Sequence, residues 1–144
     1  MENQNLNILD EINKGATMGM NAISFVSDKV SDGKFKNVLD TEYEKYEDIS
    51  KRVNKLYDNY SVKAPHETNP INKMMTWYGI QMKTITDSSN SKLSELLMQG
   101  TNMGIIEGRR LLNQNPYAEE NVKSILNEFV TMQEDSVETL KKYL

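Results

Sequence analysis

The chain has 144 residues, 38% apolar and 26% charged, with one His, no Cys and a formal net charge of −4. That size and balance describe one domain able to close a hydrophobic core without disulfides or a structural metal. The missing Cys removes thiolate metal sites, iron–sulfur clusters and cysteine nucleophiles, and 17 basic against 21 acidic side chains leave no surplus cation for a phosphate backbone, so nucleic acid is not an expected partner.

The opening Met1-Glu2-Asn3-Gln4-Asn5 has neither the basic start nor the apolar segment of a signal peptide, and no stretch approaches ~20 uninterrupted apolar residues. The expectation is a cytoplasmic protein with no membrane partner. With only 3 Pro and 7 Gly to punctuate the chain, and few alternating β-branched runs, helix is predicted almost throughout. The fold class is all-α.

The first segment, residues 4–30, sets Leu9, Ile12, Ala16, Gly19, Ile23, Val26 and Val30 at steps of three and four, one continuous stripe. Ser31-Asp32-Gly33 supplies a turn and an N-cap. A second segment then carries Phe35, Val38, Leu39, Glu42, Tyr46, Ile49, Val53, Leu56 and Tyr60 on the same spacing, which makes residues 4–60 an antiparallel hairpin. Residues 61–69 are the longest non-periodic stretch, and Asn69-Pro70 reads as an N-cap and first helical residue. A shorter helix follows to about Thr86 with Met74, Met75, Trp77, Tyr78 and Met82, so residues 61–88 form a crossover. The second hairpin, 89–114 and onward to the C-terminus, is expected to bury Leu93, Leu96, Leu97, Met103, Ile106 and Leu111, with Asn115-Pro116 opening the last helix. Glu119 and Glu120 in that helix's first turn and Lys141 and Lys142 in its last match the macrodipole.

The halves can be overlaid. Gly15-Ala16-Thr17-Met18-Gly19-Met20 resembles Gly100-Thr101-Asn102-Met103-Gly104-Ile105, and a shift that sets Phe35, Val38 and Leu39 on Val122, Ile125 and Leu126 also sets Glu47-Asp48 on Glu134-Asp135. Two amphipathic helices can align in this way by periodicity alone; if the repeat is real, two helical hairpins are related by a pseudo-two-fold axis.

Two long hairpins joined by a long crossover resemble the ferritin-like four-helix bundle, in which that connection travels the length of the molecule. The chain is also similar to small, spore-coat-like helical proteins of anaerobic Gram-positive bacteria, through Lys92-Leu93-Ser94-Glu95-Leu96-Leu97-Met98-Gln99-Gly100 and the closing Leu140-Lys141-Lys142-Tyr143-Leu144. The ferritin-like resemblance implies an antiparallel bundle with an additional crossover helix. Its di-iron members use Glu-x-x-His on two helices, and neither motif exists here: the one His, His66, lies in the Pro-containing loop. The resemblance is therefore to a bundle without di-iron ligands.

Three groups of residues are candidates for something beyond structure. Gly15, Gly19, Gly100 and Gly104 form two Gly-x-x-x-Gly pairs, each interior glycine costing ~1 kcal/mol against Ala. Close backbone approach between helices is the favoured reason, with room for a ligand at mid-bundle as the other. Glu42 falls at a core position of the second helix and Glu107 near the core face of the fourth, and with Glu134 they are the metal or proton candidates, although as edge-of-core carboxylates each is explained by bonding to a neighbouring cation or hydroxyl. Met74, Trp77 and Tyr78 offer either an interface or a face that packs on the bundle itself.

The leading functional expectation is a non-catalytic structural or protein-interaction bundle, not an enzyme, without a cofactor and forming a homodimer. The alternative is a divergent ferritin-like protein holding iron or manganese with carboxylates alone. A third reading is a small-molecule carrier, for which a void beside Gly19 and Gly104 is the distinguishing sign.

Overall fold

Hydrophobic stripes of period 3.6 become five helices in the structure, a computed structural model that describes residues 2–60 and 73–144, with side chains for 4–60 and 78–144. Helix α1 runs Glu2–Ser27, α2 Gly33–Tyr57, α3 Lys73–Lys83, α4 Asn90–Gln114 and α5 Glu120–Lys141, and there is no strand among the described residues. The expected start of the crossover helix at Asn69-Pro70 and the loop bearing His66 lie outside the described residues.

Local chemistry sets the boundaries. The Asp32 side chain accepts the Phe35 N–H at 3.0 Å and so caps α2. That amide bond, with one from Asn90, holds the Asp32 carboxyl below the usual carboxylate range. Ser89 caps α4 in the same way, accepting from the Lys92 N–H at 3.3 Å.

At the other end of α4 the sequence expectation fails. Asn115 does not open the last helix; it closes α4, its backbone N–H donating to the Leu111 carbonyl. The ring of Pro116 pushes the preceding residue out of helical geometry, so the Asn-Pro pair stops one helix and a short turn intervenes before the next begins at Glu120. Glu119 is the N-cap of α5 without a side-chain cap bond; its N–H instead donates to Asn5 Oδ1 at 3.0 Å.

Contacts between ends fix the topology. The Asn5–Glu119 bond places the starts of α1 and α5 together, so these helices are parallel. Pairs Glu42–Ser136, Arg52–Glu128 and Tyr60–Asn121 run α2 against α5 in opposite senses. Phe35 stacks on Tyr143 with ring centroids 4.4 Å apart, completing that register. The Asn90 amide donates to Asp32 Oδ2 at 3.2 Å and puts the starts of α2 and α4 at one end. Helices α2 and α4 are therefore parallel, and the chain between them must return the length of a 25-residue helix, about 37 Å at 1.5 Å per residue. Helix α3 packs on α4 along this return path.

The core runs along the four long helices and holds the expected stripe of α1 and most of that of α2. Helix α4 differs from expectation. Met103 and Leu111 are half-buried and Ile106 is 53% exposed. The buried face is turned instead toward Ser94, Thr101 and Gly108, spaced by two turns each. Small residues there let α5 lie close: Ser94 Oγ donates to the Leu140 carbonyl at 2.5 Å, and a Cβ on Gly108 would stand 2.4 Å from a Val130 methyl.

Candidate functional site

The glycines of α1 and α4 are where the bundle is shaped. They are not points of backbone-to-backbone approach; each is a seat for one side chain. A Cβ at Gly19 would meet the Tyr46 ring at 2.8 Å, one at Gly15 the Phe129 ring at 3.0 Å, one at Gly100 the Tyr78 hydroxyl at 2.6 Å, and one at Gly104 the Gln133 carboxamide at 2.0 Å. An alanine at each would gain ~1 kcal/mol of helix propensity, so the seats account for glycines in helix interiors.

These seated side chains border a cavity of about 270 Å³ between α1 and α4, and Gly15, Gly19, Gly100, Gly104 and Gly108 all lie on its wall. Its buried wall includes Ile12, Leu39 and Leu126 and, among them, several polar side chains. Glu42 is only 4% exposed, and the Ser136 hydroxyl donates to its Oε2. Lys45 reaches Oε1 of the same carboxylate at 3.4 Å, from a side chain that is itself half-exposed. Gln133 is buried beside them, its Nε2 donating to the Phe129 carbonyl at 3.4 Å. Tyr46 meets Phe129 edge to face with centroids 6.2 Å apart.

Burial pushes the Tyr46 phenol up to about 12; its hydrogen bond with Thr101 opposes the shift and the nearby Glu42 charge adds to it. Tyr78 is likewise pushed up, chiefly by burial and then by Tyr46, and its hydroxyl donates to the Leu96 carbonyl at 2.8 Å. Both phenols are thus neutral hydrogen-bonding groups at ordinary pH. Toward solvent the cavity is bordered by Met18, Met103 and the exposed Ile106, with Glu11, Lys14, Glu107 and Arg110 around them. A buried carboxylate, an amide and hydroxyls are thus set among buried apolar side chains of the same wall.

Of the carboxylates singled out from sequence, Glu42 is in the core as expected. Glu107 is not: its side chain is 56% exposed and ion-paired with Arg110, because the buried face of α4 is turned toward Gly108. Glu134 is half-exposed and bonded to Arg109 at 2.9 Å. Glu42 and Glu107 border the same cavity but on different levels. Ser136 marks the first and Val130, opposite Gly108, the second, roughly 9 Å apart along α5 at 1.5 Å per residue. Among the described residues no group of three or more His, Cys, Asp or Glu side chains is placed to hold a metal ion.

Tyr78 is no exposed interface residue; with Met82 it is buried in the chain's own core, which docks α3 on its own bundle. The side chains of Met74 and Trp77 lie outside the described residues. Thr101, Gln133 and Ser136 are polar and do not register in a count of apolar positions. Gln133 and Ser136 nonetheless continue the three-and-four spacing of Leu126, Phe129 and Leu140 along α5, a polar interruption of a core stripe that marks the site.

No described helix is long and apolar enough to cross a membrane. Compared with protein-family models, with curated proteins and with solved structures, the chain has no match in any of the three.

Proposed function

We propose that the chain is a non-catalytic helical bundle of ferritin-like architecture that binds a small molecule in the cavity between α1 and α4. The observation that carries the reading is the cavity itself, about 270 Å³ and bordered at one depth by Gly19 and Gly104. A cavity of roughly 150 Å³ lined by apolar side chains already takes up benzene, so this volume has room for a larger body. A mostly apolar wall with a few convergent polar groups is the usual form of a ligand site. Support for the ferritin-like part comes from the return of the chain along the bundle between the parallel α2 and α4.

The carboxylate-only iron or manganese reading has less behind it. Glu107 and Glu134 are each held by an arginine on the surface, and neither joins Glu42 in a metal-sized cluster.

The reading is tested by thermal unfolding with a neutral probe, phenylbutanol, whose ring and chain suit the cavity. A ligand that binds only the folded state stabilises it by ~2.7 kcal/mol at about 100 times its Kd, several degrees in Tm for a domain of this size. A Tm that climbs with probe concentration in this way is the expected result. A flat or falling Tm overturns the proposal.

A further inference from the structure

We propose, resting on the binding reading above, that the ligand of this cavity is an organic amine: an apolar body carrying one protonated nitrogen that enters first and pairs with Glu42. Among the described residues Glu42 is the one charged side chain in the buried set, and it borders the cavity. An ionised carboxylate can accept about four hydrogen bonds. Here it accepts one from Ser136 and a 3.4 Å contact from Lys45, long for a charge-assisted bond, which is ordinarily about 2.7–2.9 Å. The carboxylate thus has unused acceptor capacity and only a long contact from Lys45 as counter-charge, and its side chain lines the void.

The surroundings favour a cation over other heads. The rings of Tyr46 and Phe129 border the same void, and aromatic faces attract ammonium groups. The Gln133 amide adds a dipole that can turn its oxygen inward. A carboxylate ligand would have to reverse, with its head at Lys14 and Arg110 on the rim and its apolar end against Glu42. That orientation buries a charge against hydrocarbon and meets Arg110 already paired with Glu107. With the amine inward, the apolar body instead lies along Met18, Met103 and Ile106, which gives the exposed Ile106 a contact.

The experiment is calorimetric titration of the full chain with three matched probes, phenylbutylamine, phenylbutanol and phenylbutyrate, repeated on Glu42→Gln. In the native sequence the amine is expected to bind at least about tenfold tighter than the alcohol, with the carboxylate weakest, as a hydrogen bond to a buried charge warrants. Glu42→Gln should remove the advantage of the amine over the alcohol. An alcohol or carboxylate that binds as tightly as the amine overturns the amine assignment and leaves the cavity reading standing, as does an amine preference that survives Glu42→Gln. Binding of none of the three overturns both. The three-probe comparison on the native sequence decides the matter even if the variant folds poorly.

Discussion

The two hairpins solve one packing problem with different chemistry. In the first, Gly19 on α1 seats the Tyr46 ring of α2; in the second, Gly104 on α4 seats the Gln133 carboxamide of α5. The overlay that sets Glu47-Asp48 on Glu134-Asp135 also sets Tyr46 on Gln133 and Glu42 on Phe129. Corresponding positions therefore carry a ring against an amide and a carboxylate against a ring, and all four border the same cavity. Two hairpins with unlike side chains at corresponding positions thus line one void with both polar groups and rings. Packing alone needs no such difference, since matched apolar groups would fill the centre of both hairpins more cheaply than a buried carboxylate.

The largest test of this contrast is overpacking. Gly19→Leu pushes a Cβ into a ring that Thr101 and Phe129 hold in place, and is expected to cost about 3 kcal/mol in urea unfolding. Gly104→Ala meets the end of a flexible amide that can swing into the void, so its cost should stay below ~1 kcal/mol. Equal losses at Gly19→Ala and Gly104→Ala would break the comparison.

A second effect is confined to the aromatic groups. The Tyr46 phenol is neutral in the fold and pushed up to about 12, so its contribution is fully present below the unfolded value near 10 and is lost as pH rises toward 12. The loss should be on the order of 2 kcal/mol over that window, and Tyr46→Phe should flatten it. Spectrophotometric titration checks the cause directly: of 7 tyrosines, Tyr46 and Tyr78 should ionise last. Among the polar groups, Ser136→Ala leaves the Glu42 carboxylate one donor short and should cost about 1–2 kcal/mol, with Ser136→Thr recovering part of it. The smallest effect has the opposite sign. Among the described residues nothing lies within 4 Å of where a Cβ on Gly79 in α3 would stand, so Gly79→Ala should raise stability by about 0.5–1 kcal/mol. A loss there would mean that α3 packs more closely than its neighbours indicate.

Much of the frame was legible before any coordinates. The stripes of α1 and α2 and the Asp32 cap follow from spacing and from the preference of short polar residues for helix starts. The Gly-x-x-x-Gly pairs suggested backbone-to-backbone approach, whereas the groups that sit against them are side chains. Two errors share a cause. Ile106 was assigned to the core, and Thr101 and Gly108 were passed over, because counting apolar residues at steps of three and four admits two registers on α4. Small residues that permit close packing add nothing to such a count. Asn115-Pro116 misled because one dipeptide serves as helix start or helix stop according to which side the continuing helix lies. The glycine pairs allowed a cavity without deciding for it, since its volume depends on how far Tyr46, Phe129 and Gln133 reach over their glycines.

The decisive observation is where a ligand sits. Methionine methyl resonances report this directly, because Met18 and Met103 border the cavity while Met132 packs against the core away from it. Titration with phenylbutanol should shift the Met18 and Met103 methyls together to a plateau at one equivalent and leave Met132 in place. Shifts at Met132 that leave Met18 and Met103 unmoved, or shifts that rise without a plateau, would contradict an interior binding site.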